Sequence, residues 1–137
     1  METIRAERWL YDRLKNDATL SGLVGSRVYG YLAPAETVTP FVVFEYQEGI
    51  DETGMSATRL YAALNYSVKV VGQTTSFAAL EQIADQIDAL LHGQSGPIIG
   101  GGSVMECIRQ SAVSMVEIGD GGEQYRHLGG VYRILVQ

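Results

Sequence analysis

Two segments of the sequence place apolar residues at helical spacing. Residues 3 to 16 place Ala6, Trp9, Leu10 and Leu14 on one stripe, with Thr3 available as the N-cap, and this pattern predicts an amphipathic helix. Residues 76 to 92 give the stronger helical signal, with polar residues off the stripe and a glycine following it. Between them, residues 17 to 25 predict a short helical turn capped by an aspartate and ended by a glycine.

Four segments alternate between apolar and polar residues and therefore predict strands. They are residues 41 to 47, 60 to 71, 104 to 118 and 124 to 136. The order helix, strand, strand, helix, strand, strand predicts an α+β fold, with an antiparallel sheet of about four strands and two helices packed on one face. A chain of 137 residues fits a single domain spanning residues 1 to 137.

One long connection separates the first two strands. Residues 48 to 58 are polar and contain two glycines, which predicts a mobile arm or an interaction loop and not a tight hairpin. The candidate interaction residues lie in this segment and at its end: Ile50, Asp51, Glu52, Thr53, Met55 and Arg59.

Charge and cysteine content narrow the classes of function. The chain has 10 basic and 16 acidic residues, a net charge of -6, so its field repels a phosphate backbone. Nucleic-acid recognition is therefore not expected, although passage of DNA nearby is compatible with that charge. A single cysteine, Cys107, predicts a buried thiol and no internal disulfide. No stretch reaches the ~18 apolar residues of a membrane span, and no signal-type segment is expected.

The residues that could catalyse a reaction or bind a metal or cofactor do not form a recognisable motif. The glycine-rich segment from Gly93 to Ser103 lacks the Lys-Ser/Thr ending of a phosphate loop. His92 and His127 have no close ligand pair from which a zinc site could start. Asp85 and Asp88 are three residues apart on the polar side of a helix and indicate a solvated face. We therefore expect no catalytic residues, no metal and no cofactor, and an enzyme is disfavoured.

Tyrosine is abundant, with eight residues in one small domain. Tyrosine is enriched in protein interfaces, and it also fills half-buried positions of sheets. The sequence leaves both explanations open.

The segment from Glu7 to Gln47 carries a resemblance to a known family. Its phrases are Leu14 to Leu20, Leu23 to Gly25, Arg27 to Tyr29, Ala33-Pro34 and Pro40 to Val43. In this order they resemble the tail-completion or tail-terminator family of long-tailed phages, prophages and gene transfer agents. The likeness continues more loosely to the final strand pair.

This resemblance implies a structural virion protein that assembles as a ring, typically a hexamer, on the end of a tail tube. Such a ring ends tube polymerisation and joins the tail to the head connector, while DNA passes through the lumen. The implied partners are other copies of the chain, the major tail tube protein and the connector or neck protein, with no membrane. Residues 48 to 58 would contact the tube or neck protein or line the channel. The alternatives are another neck subunit, a cellular oligomeric α+β binding module and, least favoured, a small enzyme.

Overall fold

The computed structural model describes residues 1–137 and has an α+β architecture built on one mixed sheet. The helices are α1 (Glu2–Lys15), α2 (Ala18–Val24) and α3 (Glu81–Leu91), with short 3-10 turns at Met55–Ala57 and Phe77–Leu80. The strands are β1 (Val28–Gly30), β2 (Phe41–Thr53), β3 (Arg59–Gln73), β4 (Gln94–Pro97), β5 (Ser103–Ile118) and β6 (Gln124–Val136).

The sheet has six strands in the order β1-β2-β3-β6-β5-β4. All neighbours are antiparallel except β1, which runs parallel to β2. The α+β class is confirmed, but the expected four antiparallel strands and two helices are wrong in number. The extra strands are only three and four residues long, too short to show a period in the sequence. The extra helix, α2, corresponds to the short helical turn predicted over residues 17 to 25.

The helices cover one face of the sheet and form a single core with it. The apolar stripe of α1 is buried, as predicted, and so are Ile83, Ile87 and Leu91 of α3. They pack on the even positions of β3 from Leu64 to Val70, the face that the alternation assigned to a core. The stripes and the strand alternation therefore identified the two halves of the core correctly.

Side chains cap two of the three helix starts that the sequence predicts. Asp17 caps α2 by accepting a hydrogen bond from the Leu20 N–H at 2.8 Å, as predicted. Thr3 is not the N-cap of α1, because the helix already begins at Glu2 and no side chain caps it. The predicted helix over residues 76 to 92 starts with a 3-10 turn that Ser76 caps, and only its later part is α-helical.

The segment over residues 48 to 58 is an ordered hairpin and not a mobile loop. β2 continues to Thr53 and pairs residue by residue with β3, from Glu48 opposite Asn65 to Thr53 opposite Arg59. Both faces of this extension are exposed, so its sequence has no apolar alternation that could announce a strand. The pairing with β3 supplies the structure that the local sequence lacks.

Candidate interaction surfaces

The face of the sheet without helices carries the largest cavity, a groove of about 600 Å³. Its floor comes from β2, β3 and β6, including Val43, Ser67 and His127. One wall is the segment from Tyr31 to Thr39, and the other is the end of the β5–β6 hairpin from Glu117 to Glu123. The groove exists because both connections rise from the same face of the sheet.

Acidic side chains dominate the groove. The lining contains five residues with carboxylates and one lysine: Glu36, Glu45, Glu117, Asp120, Glu123 and, as the cation, Lys69. His127 lies within the groove with 9% of its surface exposed, and its Nε2 is 3.1 Å from a carboxylate oxygen of Glu117. Burial lowers the pKa of His127, although the bond to Glu117 opposes that effect. Its Nδ1 is buried without a hydrogen-bond partner.

The residues that a small enzyme would have used are not gathered here. None of His92, Cys107, Asp85 and Asp88 lines the groove. Cys107 is fully buried beneath the helices, as predicted, and burial raises the pKa of its thiol to about 12. His92 instead accepts a hydrogen bond at Nδ1 from the Arg109 N–H, at 3.0 Å.

The predicted interaction residues all lie on the β2–β3 hairpin. Ile50, Asp51, Glu52 and Thr53 belong to β2, Met55 forms the turn, and Arg59 opens β3. Arg59 Nη1 lies 3.6 Å from a carboxylate oxygen of Asp51 and 3.7 Å from one of Glu2, so it links the hairpin to the start of α1.

The tip of this hairpin is open to solvent. Met55 is 93% exposed and Ile50 is 61% exposed. A projecting, ordered hairpin with exposed apolar side chains has the form of a contact element. The assignment of these six residues to an interface stays a prediction.

Sequence reasoning missed a second projecting element, the far half of β5. Met115, Val116 and Ile118 are 43 to 62% exposed, although they stand in a strand that pairs with β6. The segment was predicted as a strand, but its lack of cover is a property of the tertiary structure. The one sequence signal for this exposed surface is the concentration of apolar residues near the end of the strand, without a further helix to cover them.

Buried tyrosines anchor the helices through polar contacts that the sequence did not reveal. The hydroxyl of Tyr132 donates to Asp88 at 2.8 Å, and that of Tyr66 donates to Glu7 at 3.0 Å. Burial, reinforced by the neighbouring carboxylates, raises the pKa of both phenols. The sequence predicts a solvated face for Asp88, but in the structure its carboxylate accepts a hydrogen bond from a buried tyrosine. Only two tyrosines, Tyr11 and Tyr31, are exposed, so most of the eight fill the sheet and core.

No three His, Cys, Asp or Glu side chains converge as a metal-binding group. None of the helices has the length and apolar character needed to cross a membrane.

Comparison with known proteins gives one family and a similar fold. The family described as "Tail completion protein gp17" matches residues 8–137. A chain from a structure titled "Virion of native gene transfer agent (GTA) particle" is 20% identical, with a TM-score of 0.73 over 93% of this chain and 90% of that one. No curated protein matches the sequence.

Proposed function

Since this chain belongs to the tail completion protein gp17 family, we propose that it forms a ring that closes the end of a phage tail tube. Family membership makes it a structural protein of the virion tail or neck. The ring has about six copies, ends tube polymerisation and joins the tail to the head connector. The match over residues 8–137 is the observation that carries the proposal, because it includes the second half of α1, the other helices and the whole sheet.

The surfaces of the molecule support a role in assembly rather than in catalysis. Its two long hairpins project exposed apolar side chains. The largest groove offers a histidine paired with a glutamate, but no cysteine and no metal-binding group beside them. Such features suit contacts between subunits, and a ring requires two different surfaces on each copy that meet head to tail.

In this proposal the tip of the β2–β3 hairpin meets the major tail tube protein or the neck protein. Met55 supplies an exposed apolar contact, and Asp51 and Arg59 supply an ion pair at the surface. DNA passes through the lumen without specific binding, since the net charge of -6 gives no attraction for phosphate.

The test is the mass and location of the assembled protein. Light scattering over a wide concentration range gives the mass of the free protein, and negative-stain imaging with added tail tubes locates it. A ring of about six subunits, or a cap on the tube ends, supports the proposal. A monomer or dimer that ignores tubes at every concentration contradicts it, and would favour another neck component.

A further inference from the structure

The outer edge of β5 is unpaired over most of its length. β4 covers only the first part of β5, with Pro97 opposite Ser103 and Gln94 opposite Cys107. His92 then accepts the N–H of Arg109 through its ring. Residues 110 to 118 have β6 on one side and solvent on the other. Alternate N–H and C=O groups along this stretch therefore point outward without a strand to receive them.

Apart from a bulge where it begins, between Arg109 and Ser111, this edge lacks the usual protection against pairing. Residues 110 to 118, Gln-Ser-Ala-Val-Ser-Met-Val-Glu-Ile, contain no proline, lysine, arginine or glycine and a single charge at Glu117. Soluble proteins commonly protect edge strands with such residues, or keep those strands short. A long, apolar, unprotected edge is what a strand of a partner would pair with.

A second free edge lies on the opposite side of the same sheet. β1 covers β2 only from Val42 to Phe44, and the Tyr31 N–H extends this cover to the Phe44 carbonyl. Beyond Tyr46, the edge of β2 is open to Thr53. This stretch carries three carboxylates, on Glu48, Asp51 and Glu52.

We propose that the β5 edge of one subunit pairs with the β2 edge of the next, so that one sheet continues around the ring. This inference rests on the ring of the proposed function. Three antiparallel steps, through β3 and β6, separate β2 from β5, so the two edges run in opposite directions within a subunit. Rotation about an axis near the strand direction places them antiparallel, and the contact is head to tail.

The register within the subunit adds a geometric consequence. Through β3 and β6, Ser114 at the middle of the free β5 edge is level with Val42, whereas the middle of the free β2 edge is Ile50, eight residues further along β2. Joining the two edges therefore requires strands inclined to the ring axis, as in closed sheets.

Disulfide cross-linking tests the pairing directly. Ile50→Cys is combined in turn with a cysteine at each position from 111 to 118, and the variants are assembled on tail tubes and oxidised. Cys107 can stay in place because it is fully buried. We expect a ladder of bands up to the full ring on a non-reducing gel, restricted to alternate positions of β5 that share a face with Ile50. The pair Ile50→Cys and Thr19→Cys, with Thr19 exposed on α2, is the matched control and should give no ladder.

The outcomes separate the pairing from the ring. Caps on tube ends without a ladder at any position overturn the edge pairing and leave the proposed function standing. Dimers from a single cysteine at Met115, with no higher bands, indicate β5 pairing with itself and also overturn it. Absence of caps from the unmodified protein refutes the proposed function and this inference with it.

Discussion

At the scale of single residues, buried polar groups decide how the helices attach to the sheet. Tyr66 and Tyr132 are almost completely buried, and each phenol donates to a carboxylate on a helix. A buried hydroxyl without a partner is costly, so these bonds fix the positions of α1 and α3 on the sheet. His127 differs, because one ring nitrogen has a partner and the other has none.

Removing one of these hydroxyls should destabilise the fold measurably. Tyr132→Phe deletes the donor to Asp88 and leaves that carboxylate with Arg109, whose Nε is 3.8 Å away. We expect a loss of about 1 to 3 kcal/mol in the free energy of unfolding, measured by urea denaturation. Tyr125→Phe is the control, since its hydroxyl makes no hydrogen bond to the protein. Equal stability of the two variants would contradict the role of the Asp88 bond.

The buried histidine should make stability fall in mild acid. Burial lowers the pKa of His127 below its ordinary 6.5, so the unfolded chain binds its proton more readily than the folded one. Stability is therefore lost as the pH falls below about 6.5, down to the folded pKa. Glu117 opposes this effect and Lys69 adds to it. Between pH 7.5 and pH 5, the melting temperature of His127→Gln should fall less than that of the unmodified protein. An equal fall in both proteins would show that other groups cause the loss of stability.

At the scale of elements, pairing and charge hold the β2–β3 hairpin together. The β2–β3 hairpin is closed by backbone pairing and by Arg59, which contacts Asp51 and Glu2. Its tip carries no buried residue, since Met55 to Leu60 are all exposed. The hairpin tip therefore contributes little to the core and is free to serve a contact.

Shortening this hairpin should separate folding from assembly. The register pairs Asp51 with Ala62, so replacing residues 52 to 61 by Asn-Gly closes the strands with a two-residue turn. We expect a melting temperature within a few degrees of the unmodified protein, because only exposed or half-buried residues are lost.

Assembly of the shortened protein on tail tubes should be impaired, as judged by caps in negative-stain images. Glu81→Gln with Asp85→Asn is the matched control, because it alters exposed charges on α3 and should leave capping intact. Normal capping by the shortened protein would remove the hairpin tip from the interface.

At the scale of the whole molecule, the excess of acidic residues determines how strongly the protein binds DNA. A net charge of -6 predicts no retention of duplex DNA at physiological ionic strength, even though the proposed ring surrounds it. Fluorescence anisotropy of a labelled duplex should therefore stay flat over micromolar protein. Binding that weakens steeply with added salt would reveal a basic surface that the net charge conceals.

The sequence alone determined the elements whose residues meet one core. Periodicity located α1, α3 and four long strands because a buried face imposes a period of 3.6 or 2 on the apolar residues, as in Trp9 to Leu14 and Leu64 to Val70. It also identified the Asp17 cap, which depends on atoms three residues apart. The ordered set of phrases from Leu14 to Val43 pointed to the family.

Tertiary structure decided what depends on partners distant in sequence. Residues 48 to 53 form a strand because β3 pairs with them through backbone hydrogen bonds. Asp88 is a hydrogen-bond acceptor for the core because Tyr132 lies beneath α3. The groove with His127 and the free edge of β5 also arise from which strands are neighbours and how far each extends. Local patterns record whether a residue is buried, but strand order and register are fixed only when separate segments pack together.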